Sequence, residues 1–158
     1  MASSLKNLSE YSQKNLSDIS NKRFAIVVAE WNEEVTGALL DGAIATLTKE
    51  GANDDHIVVK TVPGSFELTL GAQWMAQDPK IDAVICIGCI IQGETRHFDF
   101  ISQAVATGIT DVSLKYSKPV IFGVLTPDTQ QQALDRAGGK HGNKGDEAAI
   151  TAIKMLGF

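Results

Sequence analysis

Residues 24–62 read FAIVVAEWNEEVTGALLDGAIATLTKEGANDDHIVVKTV, and this stretch decides the fold. Its first six residues, Phe24 to Ala29, form an unbroken apolar run, the pattern of a strand buried on both faces of a sheet. From Glu33 to Glu50 the period changes. Val35, Leu39, Ala43 and Leu47 fall on one helical stripe, and Gly51 stands where helix C-caps commonly sit. Ile57 to Val62 returns to β-branched residues and stops at Pro63-Gly64. A strand, an amphipathic helix and a strand in that order form a right-handed βαβ unit with parallel strands.

The alternation continues outward from this unit. A second helix is expected over Phe66 to Gln77, a third strand over Asp82 to Gly88, and a third helix over His97 to Tyr116, weakened in its middle by Gly108. Pro119 to Leu125 reads as a fourth strand. Thr126-Pro127 supplies an N-cap and a first-turn proline for a helix ending near Gly138-Gly139, and a last helix runs from Gly145 to Leu156. Four strands and five helices without internal repeats predict a three-layer α/β/α sandwich over residues 22–158. Its four-stranded parallel sheet takes the flavodoxin-like strand order 2-1-3-4. Residues 1–21, rich in Ser, Asn and Lys and without a period, read as an N-terminal arm.

Composition narrows the function. The chain has 158 residues, a formal net charge of -5 and 44% hydrophobic residues, enough for a core without disulfide or metal staples. The mildly acidic balance gives no electrostatic footprint for nucleic acid or an anionic membrane. No apolar run approaches a membrane span, and no secretory signal opens the chain, so it reads as cytoplasmic. Cys86 and Cys89 lie on the third strand at an odd offset, which sends them to opposite faces with Cα atoms about 10 Å apart. They are expected as core thiols rather than a disulfide.

In open parallel sheets ligands bind beyond the carboxyl ends of the strands. Trp31-Asn32 follows the first strand, Ser65-Phe66-Glu67 the second, and Gly93-Glu94-Thr95-Arg96-His97 the third. Trp31 and Phe66 either cap the core or offer flat faces to an aromatic ring, with Asn32 and Glu67 available for hydrogen bonds. Glu94 and Thr95 lead into a helix whose free N–H groups suit an anion. His97 opens that helix and either only caps its backbone or serves as the best general acid/base candidate, since the positive helix end disfavours imidazolium. His56 and His141 read as solvent-facing, and no histidine pair has metal-ligand spacing. Arg136 and Lys144 flank a glycine-rich turn, where they serve either an anion or only the helix ends. Neither a dinucleotide fingerprint nor a P-loop is present.

Five segments in order resemble the lumazine synthase family. They are Trp31-Asn32 after its strand, Pro63 to Glu67, Gly93 to Asp99, Phe122 to Thr126, and Gln132 to Gly138 with Asn143 to Ala149. The resemblance implies condensation of 5-amino-6-(D-ribitylamino)uracil with 3,4-dihydroxy-2-butanone 4-phosphate, releasing phosphate and water, with no metal or organic cofactor. It implies that Trp31 stacks on the ring, where the family often has Phe, and that Asn32 and Ser65-Phe66-Glu67 hold the ribityl chain. The backbone at Ile90 and Ile91 would meet the pyrimidine edge, and His97 would transfer protons. Arg136, helped by Glu94 and Thr95, would bind phosphate, while Lys144 and Phe122 would approach the substrates.

The family's site lies between subunits, so Phe122, Arg136 and Lys144 would serve a neighbour. The implied assembly is a homopentamer. The short turn from Gly138 to Asn143 favours the icosahedral shell of twelve pentamers, with the N-terminal arm adding a strand to a neighbour's sheet. An archaeal-type riboflavin synthase and a non-catalytic flavin-binding or shell-forming protein of the same fold stay open at this point.

Overall fold

The computed structural model describes residues 16–158. Four strands, β1 (Phe24–Ala29), β2 (Ile57–Val62), β3 (Ala83–Cys89) and β4 (Val120–Leu125), form one sheet in the order β2-β1-β3-β4. All three pairings are parallel, and the register sets Phe24 opposite both Ile57 and Ala83. The expected strand order is therefore the observed one.

Because β1 and β3 are central, their residues alternate between two buried faces. Phe24, Ile26, Val28, Ile85 and Ile87 pack on one side under α1 (Glu33–Lys49) and α5 (Lys144–Leu156). Ala25, Val27, Val84 and Cys86 pack on the other under α2 (Leu68–Gln77) and α3 (His97–Tyr116). Cys86 and Cys89 belong to opposite faces and are free thiols, as their offset requires.

Two local expectations are corrected. Phe66 does not begin an α-helix; Ser65–Glu67 form a 3₁₀ turn and α2 starts at Leu68. Thr126-Pro127 does not open the fourth helix, because that segment continues beside the β3 exit, with the Pro127 carbonyl accepting from Gln92 N at 2.9 Å. The cap is Thr129, whose Oγ1 accepts from Gln132 N at 3.2 Å, and α4 spans Gln130–Asp135. Beyond α4 the chain does not run on as helix to Gly138-Gly139 but folds into a small antiparallel hairpin, β5 (Ala137–Gly139) and β6 (Gly142–Asn143). Its turn uses positive φ at Gly138 and Gly142.

Most of the expected arm lies outside the described residues. Of its last part, Ile19 is fully buried and Leu16 packs against the α1/α5 side of the core. Among the described residues no helix is long and apolar enough to cross a membrane.

Candidate active site

A cavity of about 680 Å³ opens where β1, β2 and β3 end. Each strand exit supplies one wall. Trp31 and Asn32 come from β1; Gly64, Ser65, Phe66 and Glu67 from β2; Cys89, Ile90 and Ile91 from β3. His97 and Ile101, on the first turns of α3, close the cavity. Eight residues picked out from the sequence, among them Trp31, Glu67 and His97, thus meet on one surface.

Close backbone approach makes this convergence possible. A Cβ on Gly88 would lie 2.8 Å from both Ser65 Oγ and Leu68 Cδ1, so glycine there lets the 3₁₀ turn settle on the end of β3. Ser65 is buried, yet its Oγ has no hydrogen-bond partner. Buried hydroxyls are normally bonded, so this one is available to a water or a polar ligand group in the cavity. Trp31 is 73% exposed and Phe66 is exposed beside it, which leaves two aromatic faces free for a ring. The Asn32 side chain is engaged within the protein, its Nδ2 donating to the Cys89 carbonyl at 2.9 Å.

Other expected residues stand apart from the cavity. Glu94 and Thr95 are exposed at the mouth of α3, where Thr95 Oγ1 accepts from His97 N at 3.4 Å. Phe122 lies on β4 and packs partly against the α2/α3 side of the core. Arg136 and Lys144 are drawn together on the opposite face by Glu147, a residue to which the sequence pattern assigns no role. Arg136 Nη2 bonds to one carboxylate oxygen, Lys144 Nζ reaches the other at 3.1 Å, and Arg136 Nη1 donates to the His141 carbonyl at 2.7 Å. Glu147 is 4% exposed. As an acid in the first turn of a helix it reads locally as dipole compensation; only packing of the helix shows its burial. Nearby, hydrogen bonds from Lys140 and Gln131 hold the Asp135 carboxyl below its ordinary range.

His56 and His141 are half-buried rather than solvent-facing, and His56 Nδ1 is buried without a partner. Burial pushes the Cys86 thiol up to about 12 and that of Cys89 to about 11, so neither is a nucleophile at neutral pH.

Comparison with known proteins gives the family of the chain. A family model described as 6,7-dimethyl-8-ribityllumazine synthase matches residues 21–158. A curated protein of that name from Cytophaga hutchinsonii is 63% identical over 156 residues, covering 99% of this chain and 98% of its own. Relatives of the same name from Parabacteroides distasonis and Porphyromonas gingivalis are 54% and 50% identical, covering 99% and 98% of their own lengths and all of this chain.

Proposed function

The chain belongs to the 6,7-dimethyl-8-ribityllumazine synthase family, and from that premise we propose which of its residues carry the reaction and how. It is an enzyme, a transferase of riboflavin biosynthesis that joins 5-amino-6-(D-ribitylamino)uracil to 3,4-dihydroxy-2-butanone 4-phosphate. The observation that supports a site at the strand exits is the convergence of Trp31, Ser65, Glu67, Ile90, Ile91 and His97 on one cavity, with a buried, unpartnered Ser65 hydroxyl in its wall.

In this reading the uracil ring lies against Trp31, and the backbone at Ile90 and Ile91 meets its polar edge. The ribityl chain runs past the backbone of Asn32 and over Ser65-Phe66-Glu67, hydrogen-bonded to the Ser65 hydroxyl and the Glu67 carboxylate. The substrate amine attacks the ketone carbonyl, and loss of water gives an imine. Loss of phosphate and ring closure, with further loss of water, complete the product. Every step moves a proton, and His97 on the cavity wall takes and returns it. Holding two substrates in one orientation supplies much of the remaining acceleration.

Phosphate is placed at the α3 mouth by Glu94 and Thr95 together with Arg136. Arg136, Lys144 and Phe122 do not line the cavity of their own chain. This supports their service to a neighbouring subunit in a homopentamer, twelve of which close into an icosahedral shell. The N-terminal arm, residues 1–21, most of it outside the described residues, then adds to a neighbour's sheet. β2 offers the place, since it ends the sheet and exposes Val59, Lys60 and Thr61. The reaction in this reading uses no metal or organic cofactor, and the enzyme works in the cytoplasm.

The test mixes purified protein with both substrates and follows lumazine fluorescence against a control without protein. Formation of product in proportion to protein is the expected result. A folded, assembled protein giving no acceleration would overturn the catalytic reading and leave ligand binding or shell building.

A further inference from the structure

Asn32 stands at the crossing of the three loops that build the cavity. Its φ is 61°, and among the described residues only Ser117 shares a positive φ outside glycine. Asparagine enters this left-handed region more readily than most residues, but seldom without a role. Here the twist turns the chain from β1 straight into α1, and the Asn32 carbonyl accepts from Val35 N at 2.9 Å and Thr36 N at 3.0 Å. One residue earlier, Trp31 N donates to the Pro63 carbonyl at 3.2 Å, which ties the pair to the β2 exit.

The side chain makes the third tie. Asn32 Nδ2 donates to the carbonyl of Cys89, the last residue of β3, at 2.9 Å. Beyond Cys89 the same segment is fastened to the β4 exit, by Ile90 N on the Leu125 carbonyl at 2.8 Å and Gln92 N on the Pro127 carbonyl at 2.9 Å. The amide of Asn32 therefore extends the β1–β3 pairing past the end of its ladder, just where the cavity begins. The exposed Trp31 indole has little packing of its own; its Cδ1 would lie 3.5 Å from a Cβ placed on Gly64. Where that ring points is set chiefly by the backbone from which it projects.

We propose that Asn32 is a positioning residue that acts through Trp31. Its left-handed backbone and its amide bond to the Cys89 carbonyl hold the indole as the cavity's stacking wall. Affinity for the ring-bearing substrate then depends on an amide whose donor is engaged inside the protein. This deepens the function given above and rests on its reading of Trp31.

The experiment is a double-substitution cycle in the full chain, read as KM for the ribitylaminouracil at saturating ketone phosphate. Asn32→Ala loses both the amide and the ease of positive φ, and should raise that KM about tenfold, because small misplacements of a binding wall are costly. Asn32→Gly keeps the backbone freedom but loses the amide, and should fall between it and the parent. kcat and the KM for the ketone phosphate should stay within about twofold, the scatter expected of uncoupled sites.

The distinguishing comparison is made in a Trp31→Ala background. There Asn32→Ala should add less than about twofold, because the residue through which it acts is gone. Effects that multiply would mean that the Asn32 side chain itself touches substrate or acts elsewhere, and would overturn the proposal, as would an unchanged KM in Asn32→Ala. A Trp31→Ala enzyme with the parent's KM would instead remove the stacking wall itself, whatever Asn32 does. If Asn32→Ala fails to fold, Asn32→Gly and its Trp31→Ala pair make the same comparison.

Discussion

Arg136 and Glu147 form an ion pair inside the protein, with side chains 15% and 6% exposed, and Lys144 shares the same carboxylate. A buried charge is costly only when unpaired, so the partners are not equivalent. Glu147→Ala strands two cations and should cost about 3 kcal/mol. Arg136→Ala leaves Lys144 on the carboxylate and should cost about 1 kcal/mol. Urea unfolding at one fixed protein concentration measures both, since the proposed assembly would make the midpoint concentration-dependent. Equal losses would mean that Lys144 does not neutralise Glu147.

The kinetic division of labour comes from where the groups lie. His97→Ala should lower kcat about 10²–10⁴-fold, the usual contribution of a general acid/base, with both KM values little changed. Arg136→Ala should raise KM for the ketone phosphate and leave that for the ribitylaminouracil alone. Steady-state rates with each substrate varied in turn decide this. A His97→Ala enzyme at full speed would remove the proposed proton carrier.

Strand positions were legible in the sequence from an unbroken apolar run where both faces are buried, as in β1, and from a β-branched run stopped by Pro63-Gly64 at the sheet edge, as in β2. Phe24–Ala29 and Ile57–Val62 are observed with the expected bounds. The start of α4 was not legible, because Thr126 and Thr129 are comparable local caps. What separates them is the bond of Gln92 N to the Pro127 carbonyl, a contact between residues distant in sequence. The cavity residues could be found because ligands collect at strand ends in this architecture. Glu147 escaped for the opposite reason, since its burial comes from α5 packing on α1 and β4 and has no periodic signature of its own.

Packing of α1 on α5 requires glycine at position 145. A Cβ on Gly145 would overlap the Leu39 carbonyl oxygen, a backbone atom that cannot rotate away. Beside it Asn143 Nδ2 donates to the Ala38 carbonyl at 2.9 Å, pinning the same approach. Gly145→Ala should therefore cost about 3 kcal/mol or more through overpacking. Gly37, on α1, has nothing within 4 Å of such a Cβ, so Gly37→Ala should stabilise by about 0.5–1 kcal/mol. Denaturant midpoints of the two variants should move in opposite directions.

The raised thiols tie stability to alkaline pH. Burial lifts Cys86 from 9.0 to about 12 and Cys89 to about 11, so the unfolded chain loses these protons before the folded one does. Their contribution is whole below about pH 9 and is lost as the pH climbs through the folded values. The urea midpoint should fall from pH 9 upward, and less steeply in Cys86→Ala. A thiol-specific reagent at pH 7 should label the unfolded protein promptly and the native protein slowly. Prompt native labelling of both thiols would contradict their burial.

Phe66, Leu70 and Trp74 recur at four-residue spacing from the β2 exit along α2, and each is between 49% and 58% exposed. Three large apolar side chains on one stripe are an uncommon degree of solvent exposure for a chain that acts alone. The stripe also borders a groove of about 380 Å³ that shares Phe66 and Glu67 with the active-site cavity. If the neighbouring subunit docks here, disrupting the stripe separates the proposed phosphate and lysine groups from the cavity they complete. Leu70→Glu with Trp74→Glu should then give a folded monomer by sedimentation and circular dichroism, with activity down about 100-fold or more. A monomer retaining the parent's activity would show that the site is complete within one chain.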